Sequence, residues 1–213
     1  MTGYLTEQQQ IEQFKEWWKK HGLSIVLFFL VAFLSGVLWH YWLKHREAKL
    51  ERGSTHYEEL LSAVINNDND VAMREANLLK DNYAYTPYAA LATLMIARNE
   101  IYQNNYSDAE KQLDWVMKKA SSTSLRQVAR LRLARLYIQE KKPAIALATV
   151  KKVDNDAYMP LIDETKGDAY VSLGKTDEAR FAYQQALQVV RGYAVMRPLL
   201  VMKLDNLAKN SGE

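Results

Sequence analysis

The chain has no cysteine, and only four histidines, four prolines and eight glycines among its 213 residues. The missing cysteine excludes disulfides, thiolate metal sites and cysteine nucleophiles, and it suits an oxidising compartment as well as a reducing one. The histidines (His21, His40, His45, His56) all lie in the N-terminal quarter. None stands in a zinc-type spacing, so no metal site is expected. The glycines are scattered, which leaves no Gly-rich phosphate loop, and there is no G-x-S-x-G elbow. Charge of one sign is lacking too: the net value is +3, and basic residues interleave with acids. That balance gives no argument for a nucleic-acid partner. Asp154 and Asp156 fit a loop and a helix cap, and Asp163 with Glu164 fits a solvated helix face. No catalytic residue and no cofactor is therefore expected.

What is present is helix-forming. Ala, Leu, Lys, Glu and Gln are common, and no stretch joins β-branched enrichment to period-two alternation, so the chain is expected to be all-α. Residues Leu23 to Leu43 carry no formal charge. About 21 residues match the ~20 needed to cross the hydrocarbon of a bilayer as a helix. Lys19, Lys20 and His21 bound the run on one side and Lys44, His45 and Arg46 on the other. Trp17, Trp18, Trp39, Tyr41 and Trp42 stand near its ends, as an interfacial aromatic belt does. The run is longer than a signal-peptide core and ends without a small-residue cleavage site. Ala32 and Gly36 form a small-xxx-small pair. Lys15, Lys19 and Lys20 before the span face Lys44, Arg46, Lys49 and Arg52 after it, so charge does not set the orientation. Before the span, Ile11, Phe14 and Trp18 fall at helical spacing, compatible with a surface-lying helix or a plain extension of the anchor.

From about Ser54 onward, helical stretches of about 11–19 residues alternate with breaks at Asn66–Asp70, Asp81–Pro87, Asn104–Asn105, Ser121–Ser124, Lys141–Pro143, Asp154–Asp156 and Gly174–Thr176. LARLYIQEKKPAIALATVKKV, beginning at Leu133, repeats as KGDAYVSLGKTDEARFAYQQA, beginning at Lys166. Ala134 answers Gly167, Tyr137 answers Tyr170, Ala146 answers Ala179, Val150 answers Tyr183, and Val153 answers Ala186. Each pair is 33 positions apart, close to the tetratricopeptide period of about 34. Small residues belong where two antiparallel helices cross; larger ones fill the space towards the next hairpin, and stacking makes one core. A weaker copy starts at Ile96, with Ala97 and Ala109 in the small positions. Glu100 stands there where an aromatic is expected, with Ile101 or Tyr102 as substitutes. A still weaker hairpin spans Ser54 to Lys80. Tyr193 to Leu207 reads as a final capping helix, with Lys203, Asp205 and Asn206 on its polar face.

The expected architecture is thus an N-terminal segment (1–22), a membrane helix (23–43), a linker helix (44–53), a tetratricopeptide-like (TPR-like) superhelix (54–208) and a short tail (209–213). The first helices of the hairpins would line the concave groove through Leu94, Arg98, Ile101 and Tyr102, then Leu131, Arg135, Ile138 and Gln139, then Glu164, Asp168, Val171 and Ser172. Arg98 and Arg135 are candidates to pair with a partner's carboxylate.

In FKEWWKKHG before the anchor, WHYW at its end, RLRLARLYIQEKKPAIAL and GDAYVSLGKTDEARFAYQQAL, the chain resembles the YfgM family, ancillary subunits of the SecYEG translocon in Gram-negative bacteria. The resemblance covers nearly the whole chain. It implies a non-enzymatic, single-pass (type II) protein of the bacterial inner membrane, with a cytoplasmic N-terminus and a periplasmic repeat domain. It implies as partners the SecYEG translocon, a membrane-anchored periplasmic chaperone of the prolyl-isomerase-like PpiD type, and unfolded exported proteins. The residues alone leave open a membrane-anchored scaffold in another envelope assembly, such as cytochrome maturation or cell-wall synthesis.

Overall fold

The computed structural model describes residues 7–189 and 196–210. They form α1 (Glu7–Ile65), α2 (Asn69–Asn82), α3 (Pro87–Tyr102), α4 (Tyr106–Lys119), α5 (Thr123–Gln139), α6 (Pro143–Val150), α7 (Met159–Ser172), α8 (Thr176–Val189) and α9 (Met196–Asn210), with one 3-10 turn at Asp156–Tyr158. No strand occurs among the described residues. The chain divides into two units, Met1–Lys49 and Leu50–Glu213.

In the first unit the helix carries the uncharged run expected to span the membrane. Its apolar side chains stand exposed all round it: Phe28 is 69% exposed, Phe33 70%, Leu38 69% and Trp39 64%. Water does not tolerate such a surface, and the helix is long and apolar enough to cross a membrane. A Cβ at Gly36 would touch nothing within 4 Å, so the small-residue notch is open. The side chain of Phe14 lies outside the described residues.

In the second unit, the end of α1 with α2, then α3 with α4, α5 with α6 and α7 with α8 form four successive hairpins, and α9 packs on α8. Each hairpin also meets the next, α3 touching α5 and α5 touching α7. The sequence sets the boundaries through local chemistry. Asp68, Thr86 and Ser122 accept hydrogen bonds from backbone N–H groups at the starts of α2, α3 and α5. Pro87 and Pro143 occupy the first turns of α3 and α6, where a missing N–H is harmless. Within all four hairpins one residue turns left-handed: Asn67 (φ 57°), Asn104 (61°), Lys141 (59°) and Gly174 (72°). The following N–H then reaches back five residues: Asp68 to Ala63 O, Asn105 to Glu100 O, Lys142 to Tyr137 O and Lys175 to Tyr170 O, at 2.7–2.9 Å. This is the Schellman closure of a helix end.

Ala97 with Ala109, Ala134 with Ala146, and Gly167 with Ala179 are all buried, the alanines at most 1% exposed. Ala186, Tyr183 and Tyr137 are buried too, and Tyr170 packs against the last cluster. At the weaker copy Ile101 packs into the central core, whereas Tyr102 is 72% exposed. Three apolar clusters follow one another. The first gathers Leu60, Leu79, Ala92 and Ile96, the central one Leu113, Val116, Leu133 and Ile162, and the last Tyr183, Leu200 and Leu207. Trp115 borders both of the first two.

Two expectations about helices are corrected. Helix α6 has eight residues, shorter than the 11–19 expected. The chain after it is drawn back onto α5, where Asp154 N–H donates to Gln127 Oε1 at 2.8 Å and Arg130 grips the Asp154 carboxylate at 2.7 Å. For the same reason Val153 does not answer Ala186: Val153 lies beyond α6 and is 38% exposed, while Ala186 is fully buried in α8. The capping helix begins at Met196 among the described residues, and Tyr193 lies outside them, as do residues 211–213 of the tail.

Candidate protein-binding face

The first helices α3, α5 and α7 carry the residues expected to line a groove. Leu94 and Leu131 are not on it. Each is only 4% exposed and belongs to the central core. They fall on the α3 and α5 faces that meet the neighbouring helices, one turn from the exposed arginines, and helical spacing counted without a structure misplaced them. Ile138 is also partly buried against the core. The open positions are Arg98, Tyr102, Arg135, Gln139, Val171 and Ser172, with Val171 46% exposed.

The acidic pair Asp163–Glu164 is corrected as well. These are not solvated: Asp163 is 9% and Glu164 5% exposed. Asp163 takes a bond from Lys166 Nζ at 2.8 Å. Glu164 lies between two cations, Lys203 Nζ at 2.8 Å and Arg135 at 3.4 Å. Lys203 also bonds both oxygens of Asp168, at 2.6 and 2.8 Å, and the Tyr183 hydroxyl donates to Asp168 at 2.7 Å. Arg135 and Asp168 are thus held in one network that ties α5, α7, α8 and α9 together. Burial, then the bond to Asp168 and its negative charge, pushes the Tyr183 phenol far above its usual range. Tyr137 is raised in the same way, first by burial and then by its 2.5 Å bond to Glu110.

The arginines of α5 separate by partner. Arg126 and Arg130 both face Asp154, whose side chain is 7% exposed. Arg135 faces Glu164. Arg132 instead donates to the backbone carbonyl of Leu94 at 3.2 Å. Arg98 lies over the Tyr102 ring, 5.3 Å from its centre. Arg98 and Arg132 border one depression of about 340 Å³ with Ala97, Ile101 and Leu113. Arg98 and Tyr102 also border a second, about 190 Å³, walled by Leu60, Met73, Met95 and Ile96. Arg132 and this methionine-lined hollow were not legible in the sequence, because both depend on which hairpins become neighbours.

One group of metal-ligand type comes together. His56 Nδ1 is 2.8 Å from Glu75 Oε2 and 3.7 Å from Glu59 Oε2. Spacing along the chain could not find it, since Glu75 arrives from α2. The His56 ring also leans on Tyr83 at 5.6 Å, so the group ties the end of α1 to its hairpin partner.

A helix long and apolar enough to cross a membrane and a stack of helical hairpins with a mixed apolar and cationic face define a membrane-anchored, tetratricopeptide-like protein. The model of the tetratricopeptide repeat-like domain family matches residues 15–209. Three full-length relatives carry the name ancillary SecYEG translocon subunit: from Neisseria gonorrhoeae (33% identical, 97% of this chain and 100% of the relative), Haemophilus influenzae (27%, 97% and 100%) and Escherichia coli (25%, 98% and 100%). The chain belongs to this tetratricopeptide repeat-like family of ancillary SecYEG translocon subunits, the YfgM family.

Proposed function

We propose that this chain is a non-enzymatic ancillary subunit of the SecYEG translocon, anchored in the bacterial inner membrane by its N-terminal helix. Its repeat domain binds other proteins on the concave face and does so without turnover. The observation that carries this reading is the 33% identity, over 97% of this chain and the whole of the relative, to a protein named for that role. The open face formed by Arg98, Tyr102 and the two adjoining apolar depressions supports it. In this reading the N-terminus is cytoplasmic and the repeat domain periplasmic. The domain meets the translocon, a membrane-anchored chaperone of the PpiD type, and unfolded exported chains. Anchoring raises the effective concentration of the face near its partners, so individually weak contacts suffice.

Photoreactive residues placed at Arg98, Arg135 and, in the anchor, Ala32 test this in native membranes. Crosslinks from Ala32 to translocon subunits and from the face to translocon or chaperone are expected. Capture of an unrelated envelope complex alone would transfer the function to that assembly while keeping the architecture.

A further inference from the structure

We propose that Arg98 and Arg132 together bind a carboxylate carried by a partner polypeptide, an aspartate or glutamate flanked by apolar residues. The inference rests on the concave face being a protein-binding surface, and it names the chemistry of what binds there.

The two guanidinium groups come from different hairpins, α3 and α5, and border the same apolar depression. Among the described residues, no carboxylate is recorded within ion-pair distance of either. The neighbouring arginines of α5 each already face a carboxylate, Arg126 and Arg130 sharing Asp154 and Arg135 reaching Glu164. Arg132 spends one N–H on the Leu94 carbonyl, which fixes its stem across the α3–α5 contact. A guanidinium has five such donors, so the rest of its fork remains for a ligand. Partial burial holds the Arg132 pKa down, and the positive charges of Arg98 and Arg135 hold it down further. Like charges held together in this way are relieved by an incoming anion.

The surroundings decide which anion. Arg98 and Tyr102 are common to both depressions, so the cationic point lies between two hollows with apolar walls. A bare phosphate would neutralise the charge and leave both hollows to water. A peptide segment with an apolar side chain on each side of its acid fills both and presents a planar carboxylate to the guanidinium forks. The sequence alone offers Arg98 and Arg135 as the carboxylate-pairing arginines. The structure replaces Arg135 by Arg132, because Arg135 is already committed to Glu164.

The test uses the full chain in nanodiscs of zwitterionic lipid and two dye-labelled peptides, Gly-Ser-Leu-Leu-Asp-Leu-Phe-Ser-Gly and its Asn counterpart, read by fluorescence anisotropy. The Asp peptide is expected to bind about tenfold tighter, with the difference shrinking as salt rises. Arg98→Gln and Arg132→Gln should each weaken the Asp peptide about tenfold and leave the Asn peptide nearly unchanged, whereas Lys118→Gln, which removes an exposed cation of α4 outside both depressions, should leave the ratio of the two unaltered. Because Arg132→Gln also removes a bond within the fold, Arg98→Glu serves as the second probe. It should invert the preference towards a Lys-containing peptide. Equal binding of the Asp and Asn peptides to the native chain overturns the proposal and leaves the protein-binding reading standing. Binding of neither overturns it too, and the crosslinking experiment then judges the wider reading alone.

Discussion

Replacing Gly167 by alanine should destabilise the repeat domain, although alanine is the better helix former. A Cβ built on Gly167 would lie 2.8 Å from Tyr183 Cζ and closer still to two other ring carbons. The ring has little freedom to retreat. Tyr183 is 2% exposed, its hydroxyl donates to Asp168 at 2.7 Å, and Lys203 Nζ stands 5.5 Å from the ring centre. Overpacking a tight core costs about 1–3 kcal/mol. A displaced phenol that leaves Asp168 loses about 1 kcal/mol more. The helix-propensity gain of Gly to Ala offsets about 1 kcal/mol. The net loss is about 2 kcal/mol, which for a domain of this size lowers Tm by about 4–8 °C. Thermal unfolding of the full chain in detergent, followed by circular dichroism, measures it. In a Tyr183→Leu background the obstructing ring is gone, and the same Gly167→Ala change should become neutral or stabilising. An unchanged or raised midpoint in the native background would refute the close approach of α7 and α8.

Asp154→Ala should cost about 3–5 kcal/mol in urea unfolding, because it strands the buried Arg130 guanidinium. Leu113→Ala, at a site with no exposed surface between the hairpins, should cost about 2–5 kcal/mol through its cavity. The raised phenols of Tyr137 and Tyr183 give a pH dependence of known sign. Each contributes stability below the ordinary phenol value of 10.0 that is lost as pH rises beyond it. The domain should therefore soften at strongly alkaline pH, and Tyr137→Phe with Tyr183→Phe should flatten that limb of a Tm-against-pH curve. Finally, the absence of cysteine allows a clean orientation test. Tyr102→Cys, at a site 72% exposed, should react with an impermeant maleimide added to spheroplasts, and protection there would reverse the proposed sidedness.

Periodicity in the sequence was enough to mark three of the four hairpins, since a small residue in each of three helix pairs recurs twelve positions on, as Ala97–Ala109, Ala134–Ala146 and Gly167–Ala179 do. It was not enough to assign faces. Leu94 and Arg98 differ by one helical turn, yet one is in the core and the other at the surface. The reason is that α3 is enclosed by α2, α4 and α5, so its apolar surface is too wide for one stripe to mark an inside. The pairing of Arg135 and Lys203 around Glu164 spans residues from three helices, a proximity that exists only once the stack has closed. The end of α6 was missed because tertiary bonds from Gln127 and Arg130, and no local breaker, set where the chain turns back.

The four left-handed turns bear on how the chain reaches its final state. Each closure joins atoms only five residues apart along the backbone, so it needs nothing from the rest of the molecule. A polypeptide delivered N-terminus first, as during synthesis or passage through a channel, can complete one hairpin before the next has emerged. Every newly finished hairpin then finds a template already in place on its N-terminal side. Such order-of-arrival assembly keeps the loop-closure entropy of each step small. A chain built in this way exposes at any moment only the unfinished edge of its last hairpin, and α9 is what finally covers that edge.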